Sequence, residues 1–333
     1  MKRLRIAAGL TITVLFLWLI ARQLDGAALL AILQRVSMPF LLVALACLCI
    51  DYALRILRWG WMLRALDPAF RLRGAIQPFL SSIALNNVLP LRAGDVIRVV
   101  GFSEQLRAPR MRLLATLFIE RLLDLLALLT FFFIGLAGVP SDAVPVALLS
   151  TATWLTGAAV VAVLLVTFAG ARIRALGEMI LDAPFIARRT WGRRLRSAVT
   201  PLFDALLLLR SPVRAFQLLA LSLLAWCFEA GVFLATARAL AIDAPPQGAL
   251  FAMATGTLAT LVPSSPGYVG TFDYFTLQGM AAYAIDTNAA GAFAVLVHLV
   301  LWLPLTIVGA LLLFAPIRQL LQRTGGLPKD ANT

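Results

Sequence analysis

Glu120, Arg121 and Asp124 stand in the middle of an apolar run over 113–137. On a helix Arg121 and Asp124 are i,i+3 and are expected to pair, while Glu120 shares a face with Asp124 and needs another cation. Arg92 and Arg98 are the nearest candidates, in the stretch Asn86-Asn87-Val88-Leu89-Pro90-Leu91-Arg92-Ala93-Gly94-Asp95-Val96-Ile97-Arg98. There Pro90 removes an amide donor and Gly94 admits unusual backbone angles, so polar backbone is freed beside Asn86, Asn87, Arg92, Asp95 and Arg98. These residues would line a polar cavity; in an ordinary surface loop the same charges would merely be solvated. A third group is Pro263-Ser264-Ser265-Pro266-Gly267-Tyr268-Val269-Gly270-Thr271-Phe272-Asp273. Here Pro263, Pro266, Gly267 and Gly270 shape the backbone around Ser264, Ser265 and Tyr268, and a helix follows. Its free amides favour a negative group such as phosphate, and Asp273 serves either that helix's dipole or a substrate. Glu229, deep in another apolar run, has no partner on its own helix turn. Such a carboxylate is functional or paired across helices, and is a candidate proton carrier.

The elements that position these groups follow from composition. Of 333 residues 61% are hydrophobic and 14% charged, with mean hydropathy +0.92; soluble domains carry about a quarter charged. This excludes a soluble enzyme, a disordered chain and a disulfide-built module, and indicates an all-α polytopic membrane protein. Six blocks are long enough to span, over about 4–20, 39–57, 113–137, 147–169, 215–237 and 289–315. The first is read as an uncleaved anchor. No GxxxxGK[ST] loop occurs and there is a single histidine, so no cofactor, metal or catalytic residue is assigned.

The net charge of +13 suggests nucleic acid until position is considered. Basic residues crowd the N-terminus, 58–75, 107–112, 170–214 and the C-terminal tail, with 22 there against three (Arg22, Arg35, Arg238) in the alternate loops. That is the positive-inside pattern, with both termini cytoplasmic and no nucleic-acid role. It obliges 76–106 to enter and leave from the cytoplasm and 247–284 from the other side, so both read as re-entrant hairpins. Leu89–Val96 aligns with Val262–Val269 at an offset of 173 residues, and Pro39 with Pro212. The expectation is an inverted repeat, about 39–137 and about 212–315, as in secondary transporters.

The remaining features have plainer readings. Asp51 and Arg55 are i,i+4 and can satisfy each other. His298 reads as a core residue, the cysteines (Cys47, Cys49, Cys227) as packing, and the tryptophans mostly as interfacial anchors. The nine arginines of 172–214, interleaved with Leu and Phe, suit contact with anionic inner-leaflet lipid. Self-association is left open.

Asn-Asn-x-Leu-Pro-x-Arg-x-Gly-Asp-x-x-Arg at 86–98, Glu-Arg-x-x-Asp at 120–124 and Pro-x-x-Pro-Gly-x-x-Gly-x-x-Asp at 263–273 occur in that order. Together they resemble the lysylphosphatidylglycerol synthase transmembrane, or flippase-like, family across about 5–318. The family more usually has Pro-Gly-Gly-x-Gly-x-x-Glu, where this chain has Tyr268 and Asp273, a difference that bears on substrate identity. Bifunctional members carry a soluble aminoacyl-transferase domain after the membrane part, and none is expected in the sequence up to Thr333. The resemblance therefore implies translocation of a polar or modified phospholipid or glycolipid across the inner membrane, without lipid synthesis. Counting Arg55, Arg92, Arg98 and Arg121 against Asp51, Asp95, Glu120, Asp124, Glu229 and Asp273 gives a core net acidic by two, which suits a headgroup with a cationic part. The competing readings are an intramembrane lipid-modifying enzyme using Glu120 or Glu229, and a non-catalytic partner of such an enzyme.

Overall fold

The computed structural model describes residues 2–139, 146–183, 185, 189–261 and 265–324. Pro263 and Ser264 lie outside them. Among the described residues the regular structure is helical, with no strand. In chain order the helices are α1 (Lys2–Ala21), α2 (Gly26–Leu33), α3 (Met38–Leu66), α4 (Ile76–Val88), α5 (Ala93–Val100), α6 (Arg110–Leu136), α7 (Val146–Leu164), α8 (Gly170–Asp182), α9 (Thr190–Leu206), α10 (Pro212–Ala239), α11 (Pro246–Ala259), α12 (Thr271–Ala281) and α13 (Thr287–Thr324).

Among the described residues four helical stretches are long and apolar enough to cross a membrane: Met38–Leu66, Leu149–Asp182, Pro212–Ala239 and Thr287–Phe314. α1 and α2 meet at 89° and give a fifth if counted as one broken span. This is a multi-pass membrane protein. The 113–137 block is helical as expected, as α6, and carries three charges, Glu120, Arg121 and Asp124, at its centre.

Two boundaries differ from the sequence reading, for one reason: charge density was taken as loop. α3 runs on to Leu66, so Arg58 belongs to the helix and is fully buried. The basic 170–214 stretch is likewise helical over most of its length, as α8 and α9. There Arg174 pairs with Glu178 at 2.8 Å, an i,i+4 contact, and Arg196 pairs with Asp182.

α3 and α10 pack along each other more extensively than any other pair of helices. α3 follows Ser37 with a proline in its first turn, and Ser211 caps α10 with Pro212 at its start. Each of the two Pro/Gly segments forms a pair of short helices around a break. α4 stops because Leu89 precedes Pro90 and takes extended angles (φ −102°, ψ 144°). One tight turn, Pro90–Arg92, leads into α5. The second break contains the matching turn Pro266–Tyr268 before α12. Arg92 and Tyr268 are 176 residues apart, so the turns themselves correspond three residues away from the offset read in sequence. The first arm of each pair packs on a long helix distant in sequence. α4 lies on α13 where a Cβ on Gly309 would come within 2.2 Å of the Leu80 carbonyl. α11 lies on α6 where a Cβ on Gly135 would come within 2.7 Å of the Phe251 amide. Glycine at both crossings lets the backbones touch.

Two apolar cores result. One is centred on Phe132, Phe233, Phe251 and Phe293, the other on Trp59, Phe79, Leu113 and Ile119. Along α3 the buried residues belong to the first core up to Leu48 and to the second from Trp59, and Asp51, Arg55 and Arg58 fill the interval.

Candidate functional site

The charges between the two cores form connected networks. On α3, Asp51, Arg55 and Arg58 share one helix face by their i,i+4 and i,i+3 spacing. Arg55 Nε donates to Asp51 Oδ1 at 2.7 Å, as the sequence suggested. Its Nη2 reaches Glu229 Oε2 on α10 at 2.5 Å, and its Nη1 lies 3.6 Å from Asp124 Oδ1 on α6. Glu229 is thus paired across helices. Arg58 donates to both Asp124 oxygens, at 2.6 and 3.1 Å, and to the Ser222 hydroxyl. The expected Arg121–Asp124 pair does not form. Arg58 takes Asp124 with a two-pronged geometry that an i,i+3 neighbour on the same helix does not reach.

Arg121 instead turns to the first break, where its Nη2 meets both Asp95 oxygens at 2.9 and 3.0 Å. Asn86 exchanges two hydrogen bonds with Asp95, at 3.0 and 3.1 Å, which ties α4 to α5. Gly94 permits that closeness, since a Cβ there would lie 2.0 Å from the Ser82 carbonyl. Arg98 grips Glu120 through two bonds, at 2.9 and 3.2 Å, between the rings of Trp59 and Phe79. Of the two cations anticipated for Glu120, Arg98 is the partner.

Arg92 has left-handed backbone angles (φ 52°) and reaches across to the second break. Its Nε donates to the Tyr268 hydroxyl at 2.9 Å and its Nη2 to the Thr260 hydroxyl at 2.8 Å. No carboxylate lies within ion-pair distance of Arg92 among the described residues. Behind Tyr268, the Gly270 amide donates to Asp273 Oδ2 at 2.8 Å, so Asp273 caps α12. Its other oxygen lies 2.7 Å from His298 Nδ1, and His298 Nε2 lies 2.9 Å from the Gly267 carbonyl. Asn87 joins α13 by donating to Thr306 at 2.8 Å and accepting from the Trp302 ring at 3.3 Å.

A cavity of about 410 Å³ opens onto this layer. Arg55, Arg92, Glu120, Arg121, Asp124 and Glu229 line it, with Tyr52, Phe79, Trp226, Thr257 and Thr260 among the neutral walls. A second chamber of about 160 Å³ shares Tyr52, Glu229, Thr257 and Thr260 with the first, and adds Asn87, Gly267, Tyr268, His298 and Trp302. Asn86, Asp95, Arg98 and Asp273 stand behind the walls as supports. Ser265 faces elsewhere, with its amide on Thr13 and its hydroxyl on the Val269 carbonyl. Pro90, Pro266, Gly267 and Gly270 lie in the two breaks.

Sequence reasoning missed Arg58, whose spacing from Asp51 and Arg55 placed it on their stripe. It also missed that Trp59, Trp226 and Trp302 belong to the site. Trp226 stacks 4.6 Å from the Arg55 guanidinium and donates to Asp124 at 3.3 Å. Trp18, Trp61, Trp154 and Trp191 are exposed and lie outside the layer. Adding Arg58, and setting Asp273 aside with His298, leaves Arg55, Arg58, Arg92, Arg98 and Arg121 against Asp51, Asp95, Glu120, Asp124 and Glu229. The layer is therefore balanced, which corrects the net acidic reading.

The charge is nevertheless unevenly placed. Arg55 and Arg58 serve three carboxylates, Asp51, Glu229 and Asp124, and Asp51 Oδ2 has no hydrogen-bond partner. Among the described residues Arg92 is the arginine lining the cavity that has no carboxylate within ion-pair distance. The site has a negative end and a positive end.

A glycosyltransferase, AglD of Haloferax volcanii, is 30% identical over 331 residues, covering 90% of this chain and 52% of that protein. The chain spans about half the length of the curated relative it matches. No solved structure matches it. The lysylphosphatidylglycerol synthase transmembrane region matches residues 6–309, which include every residue of the charged layer, and the protein belongs to that family.

Proposed function

We propose that this protein moves the polar headgroup of a membrane lipid through the charged layer while the acyl chains stay in the bilayer. The observation that carries the reading is the cavity itself. Both broken segments wall it or its adjoining chamber, and it is positive at Arg92 and negative at the Asp51–Glu229–Asp124 cluster. A zwitterionic phospholipid headgroup matches that polarity, with its phosphate at Arg92 and its amine toward Glu229. Arginine with unused donors suits phosphate, and an amine relieves the surplus carboxylate.

The reciprocal packing of α4 on α13 and α11 on α6 supports two inverted halves, about 39–137 and 212–315, rocking about the site. In this reading six spans and two re-entrant segments cross or enter the inner membrane, with both termini cytoplasmic. The arginines of 172–214 then rest on anionic inner-leaflet lipid. A lipid-modifying enzyme is disfavoured because Glu120 and Glu229 are each held by an arginine, which leaves neither as a free base. The relative's name keeps one variant in view, a lipid whose headgroup bears a sugar.

The test is purified protein in vesicles containing a headgroup-labelled zwitterionic phospholipid, with an impermeant quencher outside. Wild-type protein is expected to expose inner-leaflet label at rates far above protein-free vesicles, and Arg92→Ala to slow this at least about tenfold, the loss of ~1.4 kcal/mol or more. Background rates with well-folded wild-type protein would defeat the proposal. Chemical change of the lipid by the purified chain would favour the enzyme.

A further inference from the structure

We propose that His298, Asp273 and the Gly267 carbonyl form a proton-binding site that locks the second break, and that lipid movement is linked to this proton. The linkage rests on the transport reading above; the proton site does not.

His298 is the only histidine of the chain. Its side chain is 15% exposed, and Asp273's is 12%. Both ring nitrogens face oxygens, Asp273 Oδ1 at 2.7 Å and the Gly267 carbonyl at 2.9 Å. A carbonyl and an ionised carboxylate only accept hydrogen bonds, whereas a neutral imidazole has one donor and one acceptor. A neutral ring would therefore satisfy one contact and aim a lone pair at an oxygen in the other. The doubly protonated ring satisfies both, so the geometry is that of a loaded site. Asp273 is anchored independently, since its second oxygen accepts from the Gly270 amide at 2.8 Å.

The site faces α3, α10 and the turn itself across the small chamber. Tyr52, Glu229 and Tyr268 are the titratable groups there, and no arginine or lysine is among the described residues lining it. Phe272 packs edge-on against the ring at 5.0 Å. Across the chamber Glu229 is already held by Arg55 at 2.5 Å and the Tyr268 hydroxyl by Arg92 at 2.9 Å, so the carboxylate that faces the ring directly is Asp273. Glu229 also lines the main cavity, so it stands between the proton site and the place proposed for the headgroup.

Loss of the proton has a defined consequence. One proton leaves Nε2, the ring becomes neutral, and the Gly267 carbonyl is left facing a lone pair. Gly267 (φ 67°) and Gly270 (φ 84°) have positive φ, and so does Tyr268 between them, at 60°. This strained turn is held at one end by the histidine. Tyr268 carries the hydroxyl that holds Arg92, so deprotonation loosens the only described hydrogen bond of Arg92 to that turn.

The first measurement is ¹⁵N NMR of histidine-labelled protein in nanodiscs, made without a histidine tag so that His298 gives the whole signal. At pH 7 both ring nitrogens are expected to be protonated, and Asp273→Asn to leave one bare. A wild-type ring with one bare nitrogen at pH 7 overturns the proton site. The second measurement imposes a pH gradient on vesicles with the labelled zwitterionic phospholipid. Wild-type movement is expected to follow the direction of the gradient, and His298→Gln, checked for monodispersity, to move lipid indifferently to it. A gradient-indifferent wild type overturns the linkage. If no lipid moves under any condition, the transport reading fails while the ring spectrum still decides the proton site.

Discussion

Replacing Arg58 with methionine tests the central claim that the ionic layer is built from α3. Arg58 is fully buried and contributes two bonds to Asp124, at 2.6 and 3.1 Å, besides its bond to Ser222. Without it, Asp124 keeps Arg55 Nη1 at 3.6 Å, on a guanidinium already serving Asp51 and Glu229. A buried carboxylate so exposed to its own field costs ~3–5 kcal/mol, a shift of roughly a hundred- to several-thousand-fold in the folded fraction. Methionine fills the volume, so the effect is electrostatic rather than a cavity. Arg58→Lys keeps the charge and loses the fork, costing ~1–2 kcal/mol. The double variant Arg58→Met with Asp124→Leu removes both charges and should recover to within ~1 kcal/mol of wild type. The assay is equilibrium unfolding in mixed micelles, followed by circular dichroism with the summed tryptophan fluorescence as a second probe. Wild-type stability in Arg58→Met, or no recovery in the double variant, would refute the pairing.

Exchanging Arg121 and Asp124 should fail to restore expression, because an arginine at 124 meets Arg58 and Arg55 while an aspartate at 121 meets Asp95; normal yield of the exchanged protein would contradict the assigned partners. Gly94→Ala drives a methyl to 2.0 Å from the Ser82 carbonyl and should cost roughly 3 kcal/mol or more, read as loss of monodisperse protein on size exclusion. Glu229→Gln leaves Arg55 with Asp51 and should cost ~1–2 kcal/mol in stability. In vesicles it should slow an amine-bearing lipid more than one with an uncharged sugar headgroup, and equal slowing of both would remove Glu229 from amine recognition.

Much of the site was legible because charges in an apolar sequence stand out wherever they fall. Asp51 with Arg55 and Glu120 with Arg98 were readable from spacing or proximity. The errors share a physical cause. Local pairing rules describe an isolated helix, where Arg121 and Asp124 are neighbours, but three packed helices offer Asp124 the fork of Arg58 and offer Arg121 the carboxylate of Asp95. Arg58 was hidden by its neighbours Arg64, Arg71 and Arg73, whose density suggested water, although 51, 55 and 58 make one helical stripe. His298 looked like packing because its partners lie 25 and 31 residues earlier, across a break whose turn no helical period describes. Tryptophan at the centre of the layer was equally unreadable. Its role in shielding Arg55 and Arg98 depends on tertiary stacking, and its sequence signature is that of an interfacial anchor.

The pattern of partners also says where the protein is rigid and where it can yield. Arg98–Glu120 and Arg121–Asp95 both close within residues 39–137, and each has two short hydrogen bonds. These make the first break and α6 one unit. The links from that unit to residues 212–315 are of another kind. Arg92 meets hydroxyls of Tyr268 and Thr260, Asn87 meets Thr306, and Asp124 accepts from the Trp226 ring, while from α3 Arg58 meets Ser222. Only Arg55–Glu229 joins the two segments by an ion pair among the described residues. Neutral contacts to arginine are exchanged for water or for a lipid phosphate at small net cost, whereas opening a buried ion pair leaves two charges to be compensated. A headgroup with both signs of charge supplies that compensation at both ends of the cavity at once. On the proposed transport reading, the sliding boundary would run along the hydroxyl contacts, and Arg55–Glu229 would be the contact that a zwitterion is needed to open.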